Sequence, residues 1–170
     1  LRPDPDRLLQ HTAAPHRGKL KVFFGACAGV GKTWAMLAEA QRLRAQGLDI
    51  LIGVAETHGR KETAAMLQGL STLPPRRLAH RGRYVYEFDL DAALARRPAL
   101  ILVDELAHSN APGSRHPKRW QDFYELLEAG IDVFTTVNVQ HLESLNYVVS
   151  GITGVQAVSY THLRAHETLS

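Results

Sequence analysis

A run of small residues between an apolar strand and a helical pattern constrains this chain more than any other feature. The apolar segment 21–24 leads into Gly25-Ala-Cys-Ala-Gly-Val-Gly-Lys-Thr33, and a helical pattern begins at Thr33. Small side chains let backbone N–H groups close around phosphate oxygens, and the start of the following helix favours an anion. Residues 26–33 fit the Walker A pattern, in which Ala or Gly is followed by four residues and then Gly-Lys-Thr or Gly-Lys-Ser.

This loop predicts a nucleotide site. Lys32 is placed to reach the β- and γ-phosphates, and the Thr33 hydroxyl is placed to bind Mg²⁺. We therefore expect the chain to bind ATP together with Mg²⁺. The predicted nucleotide-binding residues are Ala26, Cys27, Ala28, Gly29, Val30, Gly31, Lys32 and Thr33.

A second motif ends an apolar strand with two carboxylates, in Leu100-Ile-Leu-Val-Asp-Glu105. A parallel strand delivers its carboxyl end to the ligand crevice of an α/β sheet. We predict that Asp104 and Thr33 hold Mg²⁺ through the nucleotide, which is the Walker B role for Asp104. Glu105 is then placed to orient or activate an attacking water. The alternative is a pair of exposed acids at the start of a loop.

Polar residues after two other strands are predicted to face the nucleotide. Glu56, His58 and Arg60 follow the second strand, and Asn138 follows the last strand of the apolar pattern. Each is a candidate sensor of the γ-phosphate or of the attacking water. The alternative is that they cap turns or helices, as isolated polar residues in loops often do.

Strand and helix patterns alternate along the chain, which indicates an α/β fold. The strand patterns cover 19–24, 49–54, 84–88, 99–103 and 131–137, and the helix patterns cover 33–46, 61–70, 90–96, 117–129 and 140–149. Unbroken apolar strands separated by helices are typical of a parallel sheet that is covered on both faces. We predict a P-loop NTPase-like three-layer sandwich with a mostly parallel central sheet and helices on both faces.

Length and patterning divide the chain of 170 residues into three parts. Residues 1–18 are predicted to form an N-terminal arm, 19–155 the nucleotide-binding domain, and 156–170 a non-native tail without a place in the alternation. The lone cysteine fits a reducing cytoplasm. No apolar run reaches the length needed to cross a bilayer.

The positive charge is concentrated in two stretches, although the net charge is only +3. One stretch contains Arg76, Arg77, Arg81 and Arg83, and the other contains Arg115, Lys118 and Arg119. Arg115 or Lys118 could reach a phosphate from the loop after Glu105, which we expect to be mobile. Beyond Tyr84 and Tyr86 no aromatic residues are interleaved with the first stretch, which argues against a nucleic-acid partner.

Five segments resemble one known family in order along the chain. They are GACAGVGKTWAML at 25–37, ETHGR at 56–60, DELAHSN at 104–110, KRWQD at 118–122 and TTVNVQHLESL at 135–145. Together they resemble the N-terminal cytoplasmic domain of the KdpD family of bacterial potassium sensor histidine kinases. The resemblance covers about 1–155.

The resemblance implies a role beyond this chain. It implies an ATP-binding regulatory domain of a two-component sensor in the inner membrane, with the domain itself in the cytoplasm. The implied partners are ATP, the remaining domains of the sensor and the response regulator KdpE, which receives a phosphoryl group and controls potassium-uptake genes. The full-length family is a phosphotransferase. This chain lacks the family's histidine kinase core, so at most weak ATPase activity is expected from it.

Two other functions remain open from the residues alone. A stand-alone P-loop ATPase or small-molecule kinase would use Glu105 for catalysis, and a kinase would also need an acceptor pocket. A nucleic-acid-dependent motor would use the arginine stretches.

Overall fold

The computed structural model describes residues 17–25, 31–141, 143, 145–146 and 155–159. Most of the phosphate loop lies outside the described residues, namely Ala26, Cys27, Ala28, Gly29 and Val30. The predicted arm up to residue 16, most of the predicted helix at 140–149 and residues 160–170 also lie outside them.

Within the described residues, strands and helices alternate over most of the chain. The strands are β1 (Leu20–Gly25), β2 (Ile50–Val54), β3 (Ser71–Thr72), β4 (Arg76–His80), β5 (Arg83–Glu87), β6 (Leu100–Val103), β7 (Asp132–Asn138) and β8 (Val155–Ser159). The helices are α1 (Lys32–Ala45), α2 (Lys61–Ala65), α3 (Leu90–Arg96) and α4 (Arg119–Glu128), and a 3-10 turn covers Val139–His141.

One parallel sheet organises the domain. Its strand order is β3-β2-β6-β7-β1-β8, and each neighbouring pair is parallel. Because all six strands run the same way, their carboxyl ends meet at one edge of the sheet. This edge brings the end of β1, where the phosphate loop begins, close to the ends of β2, β6 and β7.

Alternate strand residues pack into two separate cores, one on each face of the sheet. Core one lies against α3 and α4 and contains Val22, Ile101, Val133, Ala93, Phe123 and Leu126. Core two lies against α1 and contains Phe23, Leu102, Phe134, Met36, Leu37 and Ala40. The predicted three-layer α/β arrangement, with a mostly parallel sheet and helices on both faces, is therefore confirmed.

The predicted end of one helix is confirmed, and the predicted end of another is wrong. Helix α1 stops before Gly47 as predicted, since Gly47 has a φ of +89° and its N–H donates to the Arg44 carbonyl at 2.9 Å. The helix predicted at 61–70 is shorter and ends at Ala65. The Gln41 side chain donates to the carbonyl groups of Met66 and Gln68 at 2.7 and 2.8 Å, so both carbonyls are satisfied without further helix.

The hairpin β4–β5 is only partly predicted from the sequence. The strand pattern at 84–88 corresponds to β5, whereas β4 is missed because its arginines mask the alternation. Arg81 and Gly82 join the strands with φ values of +50° and +74°, as a two-residue hairpin turn requires. The pair forms its own antiparallel sheet.

The residues after 155 require a correction. We expected the segment from Gln156 onward to have no place in the alternation, but Val155–Ser159 forms β8 and pairs in parallel with β1. Gln156 and Ser159 interrupt the segment, so it lacks the apolar run that predicts a buried strand. The structured domain therefore extends to at least Ser159.

Asp122 gives the fold a predicted pH dependence. Its side chain is 5% exposed at the start of α4 and accepts a hydrogen bond from Asn110 at 3.0 Å. Burial raises the pKa of Asp122 from 3.8 to about 6, while Asn110 and the charges of His116 and Arg119 oppose the rise and Glu125 adds to it.

Because the pKa of Asp122 is higher in the folded state than in the unfolded chain, protonation of this carboxyl contributes to the free energy of unfolding. This contribution is fully present below pH 3.8 and is lost as the pH rises to about 6. Asp122→Asn should therefore stabilise the chain by about 1–3 kcal/mol at pH 7.5. The gain should shrink toward pH 4.5. Urea unfolding of both proteins at pH 4.5, 6 and 7.5 measures this, and a gain that does not change with pH would contradict it.

Candidate functional site

A cleft of about 290 Å³ opens at the carboxyl edge of the sheet. It lies beside the end of β1, where the predicted phosphate loop begins. The described residues that line it are Lys32, Thr33, Glu56, His58, Asp104, Glu105, Ala107, His108, Thr136, Val137, Asn138 and His141. The start of α1 and the ends of β2, β6 and β7 therefore contribute polar groups to the same space.

Asp104 lies at the centre of this cleft and is 1% exposed. The Thr33 hydroxyl donates to its carboxylate, with oxygen distances of 3.0 and 3.2 Å. Thr136 donates to it at 2.6 Å, and the backbone N–H of Glu56 donates at 2.7 Å. Three elements thus fix one carboxylate, and the two residues predicted to share Mg²⁺ are in direct contact.

The electrostatics of Asp104 favour a cation. Burial raises the pKa of Asp104, although hydrogen bonds from Thr136, Glu56 and Thr33 lower it, and the charge of Glu105 raises it further. A desolvated carboxylate is costly without a compensating positive charge. Carboxylate and hydroxyl oxygens are also ligands that Mg²⁺ prefers.

Lys32 enters the cleft from the first turn of α1. Gly31, with a φ of +76°, precedes it, and Lys32 and Thr33 are only 5% and 8% exposed. A Cβ atom added to Gly25 would lie 3.2 Å from the Cγ atom of Lys32. The absence of a side chain at Gly25 therefore leaves room for the stem of Lys32 at the mouth of the phosphate loop.

Glu105 is held in an uncommon backbone conformation. Its φ is +64°, in the left-handed region that costs a non-glycine residue of order 1 kcal/mol. The Thr136 hydroxyl accepts from the Glu105 N–H at 3.0 Å, and the Thr136 carbonyl accepts from the Leu106 N–H at 2.8 Å. Glu105 is exposed and lines the cleft.

Arg119 also contacts the turn at Glu105, through the carbonyl of the preceding residue. It is 3% exposed and donates to the Asp104 carbonyl at 2.8 Å. Its guanidinium lies 3.6 Å from the buried Glu87 carboxylate. His108 Nε2 lies 3.0 Å from the same carboxylate, and the Ala111 N–H donates to it at 2.8 Å. A network of polar contacts therefore runs from the Asp104 carbonyl, through Arg119 and Glu87, to His108 and Ala111 in the loop that follows.

Among the described residues, the structure brings most of the predicted site residues together. Lys32, Thr33, Asp104 and Glu105 line the cleft, and so do the candidate sensors Glu56, His58 and Asn138. Arg60 is exposed and is not among the described lining residues.

Ion pairs and a hydrogen bond hold side chains of the loop after Glu105 in place. Arg115 pairs with Asp91 at 2.7 Å and with Glu125 at 3.1 Å, and Lys118 donates to Ser109 at 2.7 Å. Arg115 and Lys118 are therefore engaged with neighbouring residues, and neither is among the residues that line the cleft.

Three polar lining residues were missed from the sequence: Thr136, His108 and His141. Thr136 had a signal, because it belongs to a pair of threonines inside a mainly apolar strand that ends at Asn138. The two histidines follow strands at distances that depend on how their loops fold, so spacing alone does not single them out.

The chain matches a known protein family over most of its length. The model of the KdpD family, described as the osmosensitive K⁺ channel His kinase sensor domain, matches residues 16–161. The chain belongs to this family. The family resemblance inferred from the five sequence motifs is therefore confirmed.

Curated relatives agree with the family assignment. The chain is 86% identical over 156 residues to the sensor protein KdpD of Escherichia coli (strain K12), a match that covers 92% of this chain. It is 51% identical over 152 residues to the sensor protein KdpD of Mycobacterium tuberculosis (strain H37Rv), covering 89% of this chain. It is 52% identical over 158 residues to that of Clostridium acetobutylicum, covering 91%.

The KdpD domain is a small part of these relatives. The matches span 17% of the Escherichia coli protein and 18% of each of the other two. Within the described part of the chain, no helix has the length and apolar character to cross a membrane.

Proposed function

We propose that this KdpD domain binds ATP with Mg²⁺ and acts as a regulatory input of a sensor histidine kinase. The observation that carries the proposal is the contact between Thr33 and Asp104 in a cleft that Lys32 and Thr33, at the start of α1, help to line. A hydroxyl and a carboxylate in this relation are the pair that P-loop proteins use to hold Mg²⁺. Mg²⁺ would supply charge neutralisation for the phosphates.

The residues fit the nucleotide in two further respects. Lys32 occupies the cleft beside Gly25, where its ammonium group can bind a phosphate. The desolvated Asp104 carboxylate accepts hydrogen bonds from the Thr33 and Thr136 hydroxyls and from the Glu56 N–H, none of which carries a charge, and a cation would offset the cost of its burial. Residues 26–30 would provide backbone N–H groups to the phosphates.

In the whole sensor, we propose that this domain lies in the cytoplasm and the sensor in the inner membrane. Occupancy by ATP would bias the kinase core, which transfers a phosphoryl group to the response regulator KdpE and so controls potassium-uptake genes. A ligand shifts such an equilibrium only by its differential affinity for the two states. Coupling therefore requires that the remaining domains contact the nucleotide cleft differently in the two states.

Calorimetric titration of the chain with ATP, with and without Mg²⁺, tests the proposal. Lys32→Ala should weaken binding by about 10- to 100-fold, because a charge-assisted bond to phosphate is lost. Lys19→Ala is the matched control, since Lys19 is exposed at the opposite end of β1. Equal affinities in the two variants, or no binding by the native chain, would remove the basis of the proposal.

A second function has one observation in its favour. A separate cleft of about 340 Å³ adjoins the first and shares Glu56, Glu105 and His108 with it. This is the kind of space that an ATPase or small-molecule kinase would need next to the γ-phosphate. Phosphate release, measured in the same titrations with and without candidate hydroxyl acceptors, distinguishes turnover from binding alone.

A further inference from the structure

The hairpin β4–β5 carries a concentrated positive charge that the nucleotide cleft does not use. Its arginines are Arg76, Arg77, Arg81 and Arg83, and all four are exposed. None has an ion-pair partner among the described residues. The acid of the hairpin, Glu87, is buried and engaged by His108, Ala111 and Arg119. The hairpin charge is therefore available to an external anion.

Other exposed arginines of the domain behave differently. Arg42 pairs with Glu39, Arg96 with Asp49, and Arg115 with Asp91. Several surface arginines thus have a carboxylate within ion-pair distance, whereas none of the four hairpin arginines forms an ion pair in the described part of the chain. Such a local excess attracts anionic surfaces at physiological ionic strength.

Two aromatic side chains accompany this charge. Tyr84 and Tyr86 are 61% and 63% exposed and lie on the same face of β5, because they are two residues apart. The Arg77 guanidinium lies 4.3 Å from the centre of the Tyr84 ring. Tyrosine and arginine together suit a membrane interface, where each places an apolar stem beside a polar or charged head.

The shape of the hairpin favours a bilayer over other anions. Arg77 lies on the same face as the two tyrosines, and this face is exposed along its whole length. Arg76 and Arg83 lie on the opposite, partly buried face, and Arg81 lies in the turn. An exposed two-stranded face suits an extended array of headgroups better than a single ligand. Arg77 also covers one face of the Tyr84 ring, which a nucleic-acid base would have to displace in order to stack there.

We propose that the β4–β5 hairpin docks on an anionic lipid bilayer through its exposed face, with Arg77 and Arg81 near the phosphates and the tyrosines at the interface. Each arginine near an anionic membrane surface strengthens binding by about 5-fold. This proposal does not depend on the proposed nucleotide site, because ATP binding would involve residues at the carboxyl edge of the sheet and not the arginines of the hairpin.

Sedimentation with vesicles of phosphatidylcholine and phosphatidylglycerol in a 3:1 ratio tests the proposal on the full chain. The native chain should bind these vesicles and not pure phosphatidylcholine vesicles. Replacing all four hairpin arginines by glutamine should weaken binding by more than about 100-fold. The double variant Tyr84→Ser and Tyr86→Ser keeps the charge and should weaken binding by about 10-fold if both rings enter the interface.

The matched control removes the same charge elsewhere, at Arg17, Arg42, Arg44 and Arg96, all exposed. This variant should retain most of the binding. Equal losses in the two quadruple variants would overturn the proposal, because net charge alone would then explain the attraction. Absence of vesicle binding by the native chain, or tighter binding of a single-stranded oligonucleotide than of vesicles at equal phosphate concentration, would also overturn it. Circular dichroism and the thermal midpoint establish that each variant is folded.

Discussion

Asp104→Asn should make the ligand-free chain more stable and at the same time abolish Mg²⁺-dependent ATP binding. The carboxylate is 1% exposed, and burial raises its pKa, so the ionised form costs free energy in the folded state. Asparagine has nearly the same shape, and rotation of the Thr33 and Thr136 hydroxyls lets both keep hydrogen bonds to it. The expected gain is about 0.5–2 kcal/mol, in the range found when a strained functional site is relieved.

Thermal unfolding without ligand and calorimetric titration with ATP and Mg²⁺ measure the two effects. Because the folded-state pKa of Asp104 is raised, its cost is present at neutral pH and disappears as the pH falls toward the ordinary value. The stability gain should therefore shrink on acidification. Asp91→Asn is the matched control, since this carboxylate is exposed. A variant that is destabilised, or that binds ATP with Mg²⁺ as tightly as the native chain, would contradict the assigned role.

The sequence predicted the layers of the fold because the signals are local and redundant. The segments at β1, β2, β6 and β7 are mainly apolar, which is typical of strands that are buried on both faces. Their two-residue period then assigns alternate side chains to the two cores. Edge elements were less predictable. β4 is exposed and rich in arginine, and polar residues interrupt β8, so neither carries the pattern of a buried strand.

Part of the site was also predictable, since parallel strands bring their carboxyl ends together. That rule alone places Asp104 near Lys32 and Thr33, and it places Glu56 and Asn138 in the same cleft. The rule does not predict the course of the loops that follow the strands. Arg60, a few residues beyond β2, therefore failed to reach the cleft, whereas His108 reached it from a loop whose course is set by contacts with Glu87 and α4.

Arg119 could not be assigned from the sequence because its partners are distant along the chain. It was counted with Arg115 and Lys118 as one basic stretch, yet its environment is opposite to theirs: it is 3% exposed and contacts the carbonyl of Asp104 and the carboxylate of Glu87. Arg115 and Lys118 are exposed. Burial lowers the pKa of Arg119, while the charges of Glu87, Glu105, Asp122 and Asp104 raise it. The surrounding carboxylates thus offset the cost of burying the guanidinium.

Arg119→Met should destabilise the chain by about 3–5 kcal/mol, the range for removing one partner of a buried ion pair. The loss leaves the Glu87 carboxylate buried without the guanidinium and frees the Asp104 carbonyl. Adding Glu87→Gln should recover part of the stability, because the remaining charge is then removed as well. Arg115→Met is the control and should cost less than about 1 kcal/mol, since its ion pairs are exposed.

The same substitution tests how the turn at Glu105 is maintained. Glu105 keeps a φ of +64° while the Asp104 carbonyl before it is bound by Arg119 and its own N–H is bound by Thr136. Without Arg119 one of these restraints is lost, so the turn can relax toward an ordinary conformation. Arg119→Met should therefore weaken ATP binding in Mg²⁺ at temperatures where the variant remains folded, whereas Arg115→Met should not. Urea unfolding measures the free energy of unfolding, and titration measures the affinity for ATP in Mg²⁺. If Arg119→Met and Arg115→Met gave similar values in both measurements, the buried arginine would stabilise neither the fold nor the site.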